Sequence, residues 1–177
     1  VIGALIADRL GRTTLSTVLV DKGAVGAGST SARTALLMYQ LDLGLAELGA
    51  RIGMRKAVRA YRLSRRAVRT LKTLAGTLGL ASRCRAKKVL YVASHPSHVA
   101  ALREEHAALR EHGFAVRLVE RPKLTADFTI DKPAALVVNE AAEIDPVALT
   151  QALVRRARAA RVLERKTPDL SLFAFDR

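Results

Sequence analysis

VLVDKGAVGAGSTSARTALL, residues 18–37, decides how the chain is read. Val18, Leu19 and Val20 form a short β-branched and aliphatic run that stops at Asp21. Consecutive apolar residues bounded by turn formers suit a buried strand of a parallel sheet covered on both faces. Asp21 then stands at the strand's carboxyl end. Open α/β sheets bind ligands there, and a carboxylate in that place accepts hydrogen bonds from the hydroxyls of an adenosine ribose. Beyond it, Gly23, Gly26 and Gly28 allow close backbone approach, while Ser29, Thr30, Ser31 and Thr34 add hydroxyl groups. The stretch reads as a cradle for a phosphorylated, ribose-bearing ligand.

Working upstream, Ala4, Leu5, Ile6, Ala7 and Leu10 predict a helix with small residues on one side. Gly3 and Ala4 at its start would let it lie tight against a sheet, the role of the third glycine in the dinucleotide-binding fingerprint G-x-G-x-x-G/A. Asp21 follows Gly3 at close to the roughly 20-residue separation that the fingerprint expects for its acidic residue. On this reading Val1 and Ile2 are the fingerprint's variable residues. The first strand and first two glycines then lie upstream of a chain that begins with Val, so the sequence is expected to be a piece of a longer one.

Half of the 177 residues are apolar, enough for one or two small domains with a core. With 4% aromatic residues and no Trp, an aliphatic core is expected. The formal net charge is +14, an excess that raises nucleic acid or another anionic surface as a partner. The cations lie along a predicted helix and not in a basic tail, so no nucleic acid is expected. The one cysteine, Cys84, cannot form an internal disulfide, which fits a reduced, cytoplasmic setting. No run approaches the roughly 20 apolar residues of a membrane span.

Downstream of the cradle, residues 41–80 read as helical throughout. Met54, Val58, Tyr61, Val68, Leu71, Leu74 and Leu78 make an apolar stripe, and Arg51, Arg55, Arg59, Arg62, Arg66 and Arg69 a basic one, read as a solvated face. Strands are expected at 89–93, 115–119, 135–138 and from Val162. A helix is expected over 96–112, capped by Ser94 or Ser97 and closed by Gly113. Asp145 and Pro146 predict a sharp helix start, with the helix running to about residue 160. Residues 166–177 carry no pattern.

Other chemistry finds little support. His95, His98, His106 and His112 have no converging thiolate or carboxylate partners, so no metal is expected. Cys84, between Arg83 and Arg85, has no general base nearby in sequence. No serine lies in a G-x-S-x-G elbow. No catalytic residue is therefore named. For the cradle, an acid at position 21 repels a 2′-phosphate and disfavours NADP. The glycines and hydroxyls of residues 26–34 suit a long flavin dinucleotide better than NAD, although an NAD-dependent dehydrogenase stays open as an alternative. So does a basic module that binds nucleic acid or an acidic partner through its arginine stripe.

D-K-G-x-x-G-x-G-S-T-S-x-x-T-A-L-L at 21–37 resembles the flavoenzymes of the D-amino-acid oxidase superfamily, the glycine and sarcosine oxidases among them. A-E-I-D-P-V-A-L-T-Q-A-L at 142–153 is similar to the segment by which that family's chain returns from substrate domain to flavin domain. The resemblance implies an α/β protein: a Rossmann-like FAD-binding domain with its first strand missing, holding the start of an inserted α+β substrate domain. The implied boundaries are 1–80 for the N-terminal part of the FAD-binding domain, 81–142 for part of the substrate domain, 143–165 for the return, and 166–177 unassigned.

It further implies that Gly3 closes the helix start onto the FAD pyrophosphate and that Asp21 binds the adenosine ribose, with Lys22 beside it. Ser29, Thr30 and Ser31 would line the pyrophosphate and ribityl path, and Ala35, Leu36 and Leu37 the isoalloxazine ring. The implied reaction is oxidation of a small amine or amino acid, with hydride passing to the flavin and on to oxygen or another electron acceptor.

Overall fold

The computed structural model describes residues 1–164 apart from Lys22 and residues 158 and 159. The unpatterned stretch 166–177 lies outside them, as does Lys22. The chain is a mixed α/β protein in two compact units, one of Val1–Ala35, Ala75–Arg83 and the described residues from Ile144 to Glu164, the other of Leu36–Leu74 and Cys84–Glu143.

In the first unit, helix α1 (Ile2–Leu10) leads to strand β1 (Thr17–Asp21) and a 3-10 turn at Gly28–Thr30. The chain returns through a 3-10 turn at Ala81–Arg83, helix α6 (Pro146–Arg156) and strand β6 (Ala160–Glu164). β1 and β6 pair in parallel, with Thr17 opposite Ala160 and Asp21 opposite Glu164. Parallel pairing was expected, but burial on both faces was not met. Val18 is 49% exposed, and among the described residues β1 has one strand neighbour, β6.

α1 turns its small side chains, Ala4 and Ala7, inward. It packs against α6, whose inner face is Ala148, Leu149, Ala152 and Leu153. Gly11 sits at the crossing. A Cβ there would come within 3.3 Å of the Ala157 backbone, so close helix approach is what requires glycine at that point. Asp145 caps α6 as its sequence predicts: its Oδ1 accepts from the N–H of Val147 at 3.0 Å and of Ala148 at 2.9 Å. Those bonds, that of Ala148 foremost, hold the Asp145 carboxyl below its ordinary value. The helix ends at Arg156, short of the expected residue 160, since Ala157 leaves helical geometry with ψ 58.

The second unit holds β2 (Leu36–Leu37), α2 (Leu45–Ile52), most of α3 (Met54–Thr77), β3 (Cys84–Ala93), α4 (Val99–Glu111), β4 (Arg117–Glu120), α5 (Arg121–Phe128) and nearly all of β5 (Ala134–Ile144). β5 is central: β2 and β4 pair with it antiparallel, and β3 is its neighbour too. Ala134 to Val138 are all buried. Since successive strand side chains point to opposite faces, Leu136 and Val138 enter one cluster with Tyr39, Tyr61 and Leu109, while Ala135 and Val137 enter another with Val119 and Leu124. β5 thus has the cover on both faces that residues 18–20 lack.

The core is aliphatic, as composition predicts, apart from one group of rings. Tyr39, Tyr61 and Phe114 meet at its centre, Tyr39 and Phe114 stacked at 5.5 Å and Tyr61 edge-on to Phe114 at 5.7 Å. Burial pushes the Tyr39 hydroxyl up to about 12.

The long helix expected over 41–80 is two helices. Gly53, at φ +87, breaks it, and residues 41–44 stay irregular. The Glu105 carboxylate caps α2 from α4, accepting from the N–H of Leu45 at 2.7 Å and of Ala46 at 2.8 Å. Gly44 makes room for it, since a Cβ there would lie 2.8 Å from Glu105 Oε2. No serine caps α4 as expected: Pro96–His98 form a 3-10 turn and His98 takes the cap position without a side-chain bond. α5 is absent from the sequence reading altogether.

The grouping by packing also cuts across the expected residues 1–80. Leu36–Leu74 belong with 84–143, because Tyr39, Leu45, Tyr61 and Val68 share one core with β5.

Candidate functional site

The expected cradle residues divide between the two units. Gly3, Asp21, Ser29, Thr30, Ser31 and Ala35 lie in the first; Leu36 and Leu37, as β2, lie in the second.

Asp21 ends β1 with its side chain exposed. Oδ1 accepts from the Gly23 N–H at 3.1 Å, an Asx-type turn that swings the chain away from the strand and fixes the carboxylate at its tip. Gly26 and Gly28 then take left-handed conformations, φ +87 and +73, for different reasons. At Gly26 a Cβ would press on Val147 Cγ1 at 3.1 Å, whereas at Gly28 it would meet nothing within 4 Å. Gly26 is held by packing and Gly28 by its turn, which leaves open backbone beside the hydroxyls. Ser29 is exposed, and Ser31 Oγ donates to the Gly28 carbonyl at 2.8 Å, so Ser31 braces the loop.

Ala35 is left-handed too, at φ 66, an uncommon conformation for a side chain with a Cβ and one that carries strain. Its carbonyl accepts from the Ile144 N–H at 2.9 Å, which holds it in place. Leu36 is 54% exposed; Leu37 packs against the core of the second unit.

Gly3 lies in the first turn of α1. Here the tight packing expected of it is not met: a Cβ at Gly3 would sit 3.5 Å from Leu19 Cδ1, an ordinary contact. The buried small residues Ala4 and Ala7 do the close packing instead. Gly3 stands in the first turn, where amides of residues 2–4 have no partner within the helix.

These features fit the adenosine and pyrophosphate part of a dinucleotide. An exposed carboxylate stands at a strand tip for a ribose, a helix start offers free N–H groups for a phosphate, and an open glycine turn carries hydroxyls. Among the described residues, no group of His, Cys, Asp and Glu could hold a metal ion. His95 and His98 pack edge to face at 5.4 Å, and Cys84 is a free, half-buried thiol at the start of β3. No helix among them is long and apolar enough to cross a membrane.

Sequence reasoning missed the group that ties the first unit together. Asp8, 7% exposed, accepts from Arg156 Nε at 2.6 Å and Nη2 at 2.8 Å. Arg156 Nη1 also donates to Thr77 Oγ1 at 3.2 Å. A signal was present, since Asp8 stands one turn after Ala4 on the buried face of its helix, and a charge in an apolar stripe needs a partner.

An α/β fold with an exposed carboxylate at a strand tip and an open glycine turn beyond it is the arrangement expected of a dinucleotide-binding protein. Residues 1–167 match the family of FAD dependent oxidoreductases, DAO, and the chain belongs to it. No curated protein matches the chain.

Among solved structures it is similar to glycine oxidase from Geobacillus kaustophilus, at 19% identity and TM-score 0.72, over 92% of this chain and 44% of that one. It is similar to L-proline dehydrogenase from P. horikoshii, at 18% identity and TM-score 0.72, over 92% and 41%. L-alpha-glycerophosphate oxidase from Mycoplasma pneumoniae, with FAD bound, aligns at 15% identity and TM-score 0.66, over 92% and 42%. The likeness is one of fold, and the chain spans less than half the length of these chains.

Proposed function

We propose that the whole protein is a cytoplasmic, FAD-dependent oxidoreductase that oxidises a small amine or amino acid and passes the electrons to oxygen or another acceptor. Supporting the substrate class, neighbours of the same fold are a glycine oxidase, an L-proline dehydrogenase and an L-amino acid deaminase. In this reading residues 1–80 and 143–165 serve the FAD-binding domain, and 81–142 the substrate domain.

Bound here, FAD would supply the ring that accepts the hydride. The chain's own part is to hold it. Asp21 accepts hydrogen bonds from the adenosine ribose, with Lys22 adjacent in sequence. The first turn of α1, with Gly3 in it, donates N–H groups to the pyrophosphate. Ser29 and Thr30 offer hydroxyls along the chain toward the ring, and Ser31 keeps their turn in shape. Ala35, Leu36 and Leu37 border the isoalloxazine, where apolar side chains exclude water.

The observation that carries the reading is Asp21, exposed at the carboxyl end of a parallel strand and fixed by the Gly23 N–H. Asp21→Ala in the full-length protein, followed by gel filtration and flavin absorbance, tests it. Loss of two hydrogen bonds to a charged acceptor costs about 3 kcal/mol, roughly a hundredfold in affinity, so the variant should elute largely colourless. A variant as yellow as the parent would sink the assignment.

A further inference from the structure

Helix α3 carries eight Lys and Arg and no Asp or Glu over its 24 residues. Two are engaged locally: Arg69 donates to Glu140 at 2.6 and 2.8 Å, and Arg65 lies over the Phe114 ring at 4.6 Å, donates to the Gly113 carbonyl at 3.0 Å and stands 3.9 Å from the same Glu140. Arg55, Arg59, Arg62 and Arg66 make a separate, exposed row. Among the described residues none of the four has an ion pair.

A solvated helix face ordinarily mixes signs, whereas like charges three and four apart destabilise the helix that bears them. This row thus retains a repulsion that a bound anion would relieve. It is also not a flat face. The arginines border a groove of about 890 Å³, in which Met54, Val58 and Leu63 supply apolar surface and His112, at the end of α4, closes one side.

We propose that this groove, which lies within the second unit, docks an acidic and partly apolar segment of a partner protein. Its carboxylates would meet the guanidinium row, and its aliphatic side chains would cover Leu63, which is 56% exposed. The lining favours that occupant over other anions. Among the described residues no Phe, Tyr or Trp borders the groove, so they offer single-stranded nucleic acid no stacking platform. Apart from Leu63 its apolar lining, Met54 and Val58, is at least half-buried and offers no broad exposed apolar face of the kind an interfacial helix inserts into lipid. The inference is independent of the flavin assignment, since none of the proposed cofactor residues takes part.

The test is fluorescence anisotropy of the full-length protein with a labelled peptide of alternating Glu and Leu, set beside duplex DNA and vesicles of anionic lipid. Binding of the peptide that weakens steeply with salt, and that drops about tenfold or more in Arg59→Glu with Arg62→Glu, is the expected result. Flavin content and thermal midpoint serve as the check on folding. Arg59→Gln with Arg62→Gln removes the charge without reversing it, and should weaken binding in the same direction. No peptide binding, binding untouched by both double variants, or tighter binding of DNA or vesicles than of the peptide would overturn the proposal.

Discussion

Asp8 is a carboxylate that the interior tolerates because Arg156 meets it with two parallel N–H groups. Arg12 adds a longer contact at 3.4 Å. The Arg156 hydrogen bonds are the main reason the Asp8 carboxyl stays below its ordinary value of 3.8, with burial pulling the other way. Asp8→Asn leaves a guanidinium without its counter-charge, and breaking a buried pair costs about 3–5 kcal/mol. Arg156 keeps 28% of its side chain exposed, so the low end, about 3 kcal/mol, is expected in urea unfolding.

The same pair sets a pH dependence. A carboxyl whose folded value is depressed contributes its full stability above the unfolded value of 3.8 and loses it as pH falls through the lower folded one. Unfolding free energy should therefore decline more steeply with acid in the parent than in Asp8→Asn below about pH 4. Equal slopes would show that Asp8 is not paired in solution.

At the scale of elements, α5 repays attention because nothing in the sequence reading marked it. Its apolar residues, Leu124 and Phe128, are one turn apart and too few to make a stripe, and Leu124 alone is fully buried. The start follows Pro122 in the first turn, but the end falls at Thr129, left-handed at φ 56. A β-branched residue is a poor choice there, and glycine suits the position. Thr129→Gly should therefore raise the unfolding free energy by about 1 kcal/mol. No change or a loss would mean that the Thr129 side chain makes compensating contacts.

The contrast with α6 shows what was legible. Asp145 and Pro146 state a helix start in adjacent residues, and the cap bonds confirm it. Glu105 capping α2 joins positions about sixty residues apart, and no local pattern encodes that. The candidate site divides in the same way. Asp21 and the glycine turn after it are read from one continuous stretch, whereas the room beside Gly3 depends on Leu19 across a helix–strand contact.

Over the whole chain, the two units differ in how much backbone is secured. β5 has strand neighbours on its flanks and apolar clusters on both faces. β1 has β6 alone among the described residues, in a two-stranded sheet, and such pairs are marginal without further cover. Ile2, Ile6, Leu15 and Val18, all in the first unit, are each about half exposed or more. These are the marks of a region that opens below the global free energy.

Hydrogen exchange on the 177-residue chain should thus find the amides of Leu136, Val137 and Val138 protected at least about a hundredfold more than those of Leu19 and Val20, roughly 3 kcal/mol of opening free energy. Equal protection would show that β1 is held by more than its pairing with β6. A ligand that binds only the closed form stabilises it by mass action. If the cradle at Asp21 holds the cofactor, excess FAD should slow exchange at Leu19 and Val20 in the full-length apoprotein while leaving residues 136–138 of β5 nearly unchanged. FAD that protects β5 and not β1 would place the cofactor elsewhere.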